Sequence, residues 1–172
     1  MKPRKDRAMT LIELILVMSM LLVLGGIVGP AVSEFVPGVR LSKAVTGFVA
    51  AAGKARLEAA LTGRRHRVVI RKSAEPPSYL VQVEADPLSE PGVFVPLYGD
   101  WGKPVELPDA ITFESTEGAK PDIELGEEYL EFSPDGTASE ATISFGHERL
   151  GHEDVSIDPA TGVARIVTEV AK

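Results

Sequence analysis

Cysteine is absent from the 172-residue sequence. That excludes a disulfide framework, a thiolate metal site and a cysteine nucleophile together. Aromatic residues make up only 6% of the chain, with a single tryptophan, so no stacking platform for bases or sugars is on offer. Positive charge is also scarce: 18 basic residues stand against 25 acidic ones, a net of −7. Such a balance disfavours polyanions unless the few cations cluster. No G-x-S-x-G turn, Walker loop or dinucleotide fingerprint occurs, so an enzyme reading has no residues to name, and no cofactor is implied. The length allows one modest domain and something extra.

What is present is an uneven placement of charge. Residues 1–8 carry Lys2, Arg4, Lys5 and Arg7 against Asp6, and residues 14–33 then hold no charge at all. A helix over that run reaches roughly 30 Å, the thickness of a bilayer's hydrocarbon core. The pattern predicts a single membrane-spanning helix with the basic end in the cytoplasm and the C-terminal bulk outside. Glu13 alone interrupts the uncharged stretch 8–33. A carboxylate there needs a partner or a job; the plain alternative is that it marks the wetted edge of the span. Gly25, Gly26, Gly29 and Pro30 allow close helix approach and a loosened backbone, and Pro37-Gly38 predicts a break or bend.

Beyond it, Leu41, Val45, Phe48, Ala52, Ala55 and Ala59 recur at spacings of four and three, one face of an amphipathic helix that Gly63 stops. After Gly63 the texture changes to short alternating runs. Strands are expected over 67–72, 79–85, 93–98, 110–114, 129–132, 141–145, 155–157 and 163–170, separated by turn signals such as Pro91-Gly92 and Pro134-Asp135-Gly136. Several short strands with no second strong helix indicate an antiparallel β head.

Ala8-Met9-Thr10-Leu11-Ile12-Glu13, after a basic leader and before an apolar helix, resembles the type IV prepilin signal. The departures are Ala8 for the family's usual Gly and Met9 for its usual Phe. The resemblance implies cleavage between Ala8 and Met9 by a prepilin peptidase and methylation of the new amino terminus on Met9. It also implies an assembly role for Glu13, which neutralises an N-terminal amine, and helix flexibility around Gly25, Gly26, Gly29 and Pro30. A competing reading is a secretory signal cut after the small residues Ala31-Val32-Ser33. The helix end Lys54-Ala55-Arg56-Leu57-Glu58-Ala59-Ala60, Phe132-Ser133-Pro134-Asp135-Gly136 and the late Thr161-Gly162 are similar to the general secretion pathway protein H family of minor pseudopilins and FimT/FimU-type minor pilins.

That resemblance implies an α+β, pilin-like fold: a long N-terminal helix, half membrane-inserted and half amphipathic, packed on a C-terminal antiparallel β head. The expected organisation is a leader at 1–8, a membrane and filament-core helix at 9–36, an amphipathic helix at 37–63 and a periplasmic head at 64–172. The implied function is that of a structural subunit of the type II secretion pseudopilus, first in the inner membrane and then in the filament. Implied partners are other pseudopilins, the prepilin peptidase and the inner-membrane assembly platform, with secreted substrate or secretin as further ones. The alternatives are a minor pilin of a type IV pilus, serving adhesion, motility or DNA uptake, and a membrane-anchored periplasmic binding domain.

Three polar clusters stand out in the remaining sequence. Arg64-Arg65-His66-Arg67 is a basic patch of the kind that DNA uptake needs, but no aromatic interleaves it and the head is acidic. His147-Glu148 and His152-Glu153-Asp154 lack the helical spacing of a zinc site. Asp122, Glu124, Glu127 and Glu128 lack that of a calcium loop. Trp101, beside Asp100 and Gly102, reads as a loop anchor.

Overall fold

The computed structural model describes residues 11–123 and 125–167, with side chains for all of these except 21–37. In chain order the elements are α1 (Leu11–Thr62), β1 (His66–Arg71), β2 (Ser78–Asp86), β3 (Glu90–Pro96), a 3-10 turn (Asp100–Gly102), β4 (Val105–Glu106), β5 (Ile111–Glu117), β6 (Lys120–Asp122), β7 (Glu127–Phe132), β8 (Ala141–His147), β9 (Gly151–Ile157) and β10 (Ala164–Val167). The chain divides into two compact units, Met1–Pro37 and Gly38–Lys172. The helix is assigned without interruption through Pro37-Gly38, where a break was expected, although the unit boundary falls at that dipeptide.

The second unit is built on two antiparallel sheets. The first has the order β3-β2-β1-β7-β6, with β4 continuing the edge beside β2; the second runs β10-β9-β8-β5. The chain crosses from the first sheet to the second between β4 and β5 and again between β7 and β8, and crosses back between β5 and β6, at Gly118. There φ is 81°, and a Cβ would lie 2.2 Å from the Glu140 carbonyl oxygen, so only glycine fits. Across the same corner the Thr116 hydroxyl donates to the Glu128 carboxylate.

Alternation along the strands sends Val68, Ile70, Val81, Leu130 and Phe132 of the first sheet, and Ile143, Phe145, Val155 and Ile157 of the second, into one core. The helical segment 41–59 completes it. Its predicted face is wholly buried, and Ala44 and Ala51 widen it. Alanines let the helix backbone approach the sheets closely, while Phe48 supplies bulk. Its ring meets Tyr79 of β2 at 5.3 Å, Phe145 of β8 at 5.3 Å and Phe113 of β5 at 6.3 Å, all edge-on.

The structure departs from the expected fold class and location. Among the described residues no helix is long and apolar enough to cross a membrane. A span needs about 20 apolar residues. The fully described apolar stretch, 11–20, covers about 15 Å and contains Glu13. From Gly38 onward the helix carries Arg40, Lys43, Lys54, Arg56 and Glu58. The transmembrane, single-pass inner-membrane assignment with a periplasmic head is therefore withdrawn. So is the pilin-like description of a long helix, half of it membrane-inserted, packed along a head. The body is mostly β, and its described core takes nothing from the helix before Leu41.

Candidate assembly surface

Every described side chain from Leu11 to Met20 is exposed. Leu11, Ile12, Leu14, Ile15, Leu16, Val17, Met18 and Met20 range from 47% to 78% accessible. Leucine, methionine and glutamate favour helix, and Ser19 donates its hydroxyl back to the Leu16 carbonyl at 2.8 Å, a local bond that satisfies the hydroxyl within the helix. The stretch is thus a helix that is apolar around its whole circumference, which soluble proteins ordinarily bury. Glu13 is its only charged residue. The proposed cleavage and methylation sites, Ala8 and Met9, lie outside the described residues. Gly25, Gly26, Gly29 and Pro30 fall within α1, in the stretch whose side chains are not described.

The segments that carried the family resemblance in the head meet in space. Arg56 Nε donates to the Thr161 carbonyl at 2.5 Å, tying the helix to the turn before β10. A Cβ on Gly162, whose φ is 63°, would stand 2.9 Å from the Gly136 carbonyl oxygen and 3.1 Å from Arg56 Cδ. Ala138 N–H completes the junction by donating to the Pro159 carbonyl at 3.0 Å. Asp158 Oδ1 accepts from the backbone N–H groups of Ala160 and Thr161, and those bonds hold its carboxyl below the usual range. This arrangement clamps two loops onto a helix and presents no reactive group.

The basic cluster is absorbed into the outer face of the first sheet. Arg65 grips the Glu84 carboxylate with a two-pronged guanidinium contact and reaches Glu131 at 3.7 Å. Arg67 pairs with Asp122 at 3.3 Å and donates to Gln82 at 2.7 Å; Arg71 pairs with Glu127 at 2.7 Å. Contrary to the sequence reading, aromatics do interleave the cluster. The Arg67 guanidinium lies 4.3 Å from the Phe94 ring centroid and 4.9 Å from that of Tyr129. Only the register could reveal this: Arg67 faces Gln82 and Glu131, one step from Phe94 on β3 and Tyr129 on β7. Strand pairing across 60 residues leaves no local signal.

Of the acids in the candidate calcium loop, Asp122 and Glu127 belong to these pairs and Glu128 accepts from the Thr116 hydroxyl; Glu124 lies outside the described residues. His147 and His152 sit on the β8–β9 hairpin, and His147 Nδ1 accepts from the Arg149 N–H at 3.1 Å. Among the described residues no three histidines, aspartates or glutamates are placed to hold a metal ion. Trp101 sits in the 3-10 turn, partly exposed. Comparison with protein-family models, with curated proteins and with solved structures finds no match, and the functional reading of the chain rests on its own residues.

Proposed function

We propose that the chain is a minor pseudopilin: a structural subunit of the type II secretion pseudopilus, joined to its neighbours through the N-terminal helix after a prepilin peptidase cuts between Ala8 and Met9. The observation that carries the reading is the exposed apolar helix surface 11–20 with Glu13 as its single charge. Covering eight large apolar side chains by helices of neighbouring subunits gains on the order of 10 kcal/mol at ordinary transfer values. A carboxylate such as Glu13, enclosed in the same contact, is held best by a closely placed cation. A freshly cut amino terminus on Met9 of a neighbour supplies that cation, so the acid sets the register of packing. The second unit offers two-sheet scaffolding, which suits an architectural part.

Glu13→Ala tests this in cells that contain the peptidase and the other pseudopilins. Mass spectrometry of the purified subunit is expected to find the chain beginning at N-methylated Met9 in both parent and variant. Cross-linking is expected to find the variant outside the filament, with secretion reduced at least tenfold. Retention of residues 1–8 in the parent, or normal incorporation of the variant, overturns the proposal.

A further inference from the structure

His66, the first residue of β1, is fully buried on the core face of the first sheet, where α1 hands over to the strands. Its Nδ1 lies 3.0 Å from the Arg64 carbonyl oxygen. A carbonyl can only accept, so Nδ1 carries the proton and Nε2 is the bare acceptor. That Nε2 is buried and has no hydrogen-bond partner among the described residues. Orphaned buried polar atoms are rare in folded proteins and cost stability, so this one calls for a reason.

Its surroundings supply one. The register sets His66 between Val83 of β2 and Phe132 of β7, both uncharged. The charged groups that act on the ring come from the end of α1 and the turn after it: Lys54, Glu58 and Arg64. Arg65, Glu84 and Glu131 form their pairs on the opposite face of the sheet. Lys54 and Glu58 are bonded to each other at 2.6 Å and are each only partly exposed. A proton arriving at Nε2 must therefore sit unpaired in the core or draw Glu58 away from Lys54. Either outcome disturbs the contact between the last turn of α1 and β1.

We propose that His66 is an acid-sensitive joint, which fastens the end of α1 to the β body while its ring is neutral and loosens that attachment when the ring takes a second proton. Burial holds its pKa below the ordinary imidazole value of 6.5, and the Arg64 carbonyl and Glu58 oppose that only in part. The unfolded chain thus takes up the proton first as pH falls. Stability is full above 6.5, declines below it, and levels off once the folded ring also titrates. The inference is independent of the filament reading, because it concerns the interior of the second unit.

The experiment follows the imidazole resonances of the full chain by NMR and its urea unfolding midpoint between about pH 7.5 and about pH 5. His66 is expected to titrate below 6.5. The midpoint is expected to fall with pH in the parent, to lie on a flatter line in His66→Gln, and to fall more steeply in Glu58→Gln. Hydrogen exchange should show amides 63–66 losing protection before those of β8. A His66 ring that titrates at or above 6.5, an unchanged slope in His66→Gln, or uniform loss of protection across both sheets overturns the joint. Should His66→Gln fail to fold, the ring titration and the exchange order in the parent decide.

Discussion

Phe48 ties the two sheets to each other through one ring. Tyr79 approaches it from the first sheet, and Phe113 and Phe145 from the second, at centroid distances of 5.3 to 6.3 Å. Phe48→Ala would remove the shared partner of both sheets at a site with no room for solvent, and is expected to cost about 3–5 kcal/mol in urea unfolding. A loss below about 1 kcal/mol would show that the surrounding rings close the gap. Gly47 belongs to the same contact. A Cβ there would stand 2.8 Å from the Tyr79 hydroxyl oxygen, so the residue preceding the phenylalanine must be small for the tyrosine to lie edge-on beneath it. Glu84 is a second residue whose surroundings fix its behaviour. Its carboxylate is buried beneath the Arg65 guanidinium and also accepts the Gly92 N–H at 2.9 Å. Those bonds, the Arg65 one foremost, hold its pKa below 4.5 despite burial. A carboxyl with a depressed folded pKa contributes stability above the unfolded value, and that contribution is lost as pH falls below 4.5 toward the folded one. Glu84→Gln is therefore expected to unfold earlier at neutral pH and to show a shallower loss below pH 4.5, read as urea midpoints against pH. A variant that keeps the parental acid limb sinks this assignment. This window opens below 4.5, whereas that of His66 opens below 6.5.

Elements differ in how far local pattern could reveal them. The six apolar positions from Leu41 to Ala59 were legible because a 3.6-residue period repeats through them, and all six are buried. The helix stop at Gly63 was legible too: its φ is 66° and its N–H closes on the Ala59 carbonyl at 3.0 Å. Alternation gave away β8, while β1 and β2 showed as short apolar runs, Val68-Val69-Ile70 and Tyr79-Leu80-Val81, that are buried throughout. Where β3 was expected to run to Tyr98, the strand ends at Pro96, which lacks the N–H a ladder needs. The two- and three-residue strands β4 and β6 are too short to hold a period, and their pairing is dictated by β2 and β7. Least legible was the division into two sheets. It turns on Gly118 and on the pairing of β1 with β7, neighbours in space but far apart in sequence. The same distance hid the Arg67 stack, since Phe94 and Tyr129 reach it from opposite sides through separate ladders. Of the proposed assembly surface, the sequence displayed the apolar run and Glu13 openly. It also suggested a membrane as the cover, which the described helix does not support.

At the scale of the whole molecule, the division of labour between the two units makes its own prediction. Every described core residue lies at Leu41 or beyond, and the Arg56 clamp, the arginine pairs and the His66 junction all belong to Gly38–Lys172. The cooperative energy of the fold therefore resides in that unit, and the exposed apolar side chains of residues 11–20 contribute to association rather than to folding. Removing residues 1–37 is expected to leave the calorimetric midpoint of the body unchanged within about 2 °C, the shift produced by a few tenths of a kcal/mol in a domain of this size. The same truncation should abolish self-association in sedimentation, whereas the chain that keeps its apolar helix associates. A shortened chain that melts well below the full one would mean that the first unit braces the second, and one that still associates would move the contact surface onto the sheets. Only unchanged melting together with lost association leaves folding and assembly in separate stretches of sequence, meeting at Pro37-Gly38.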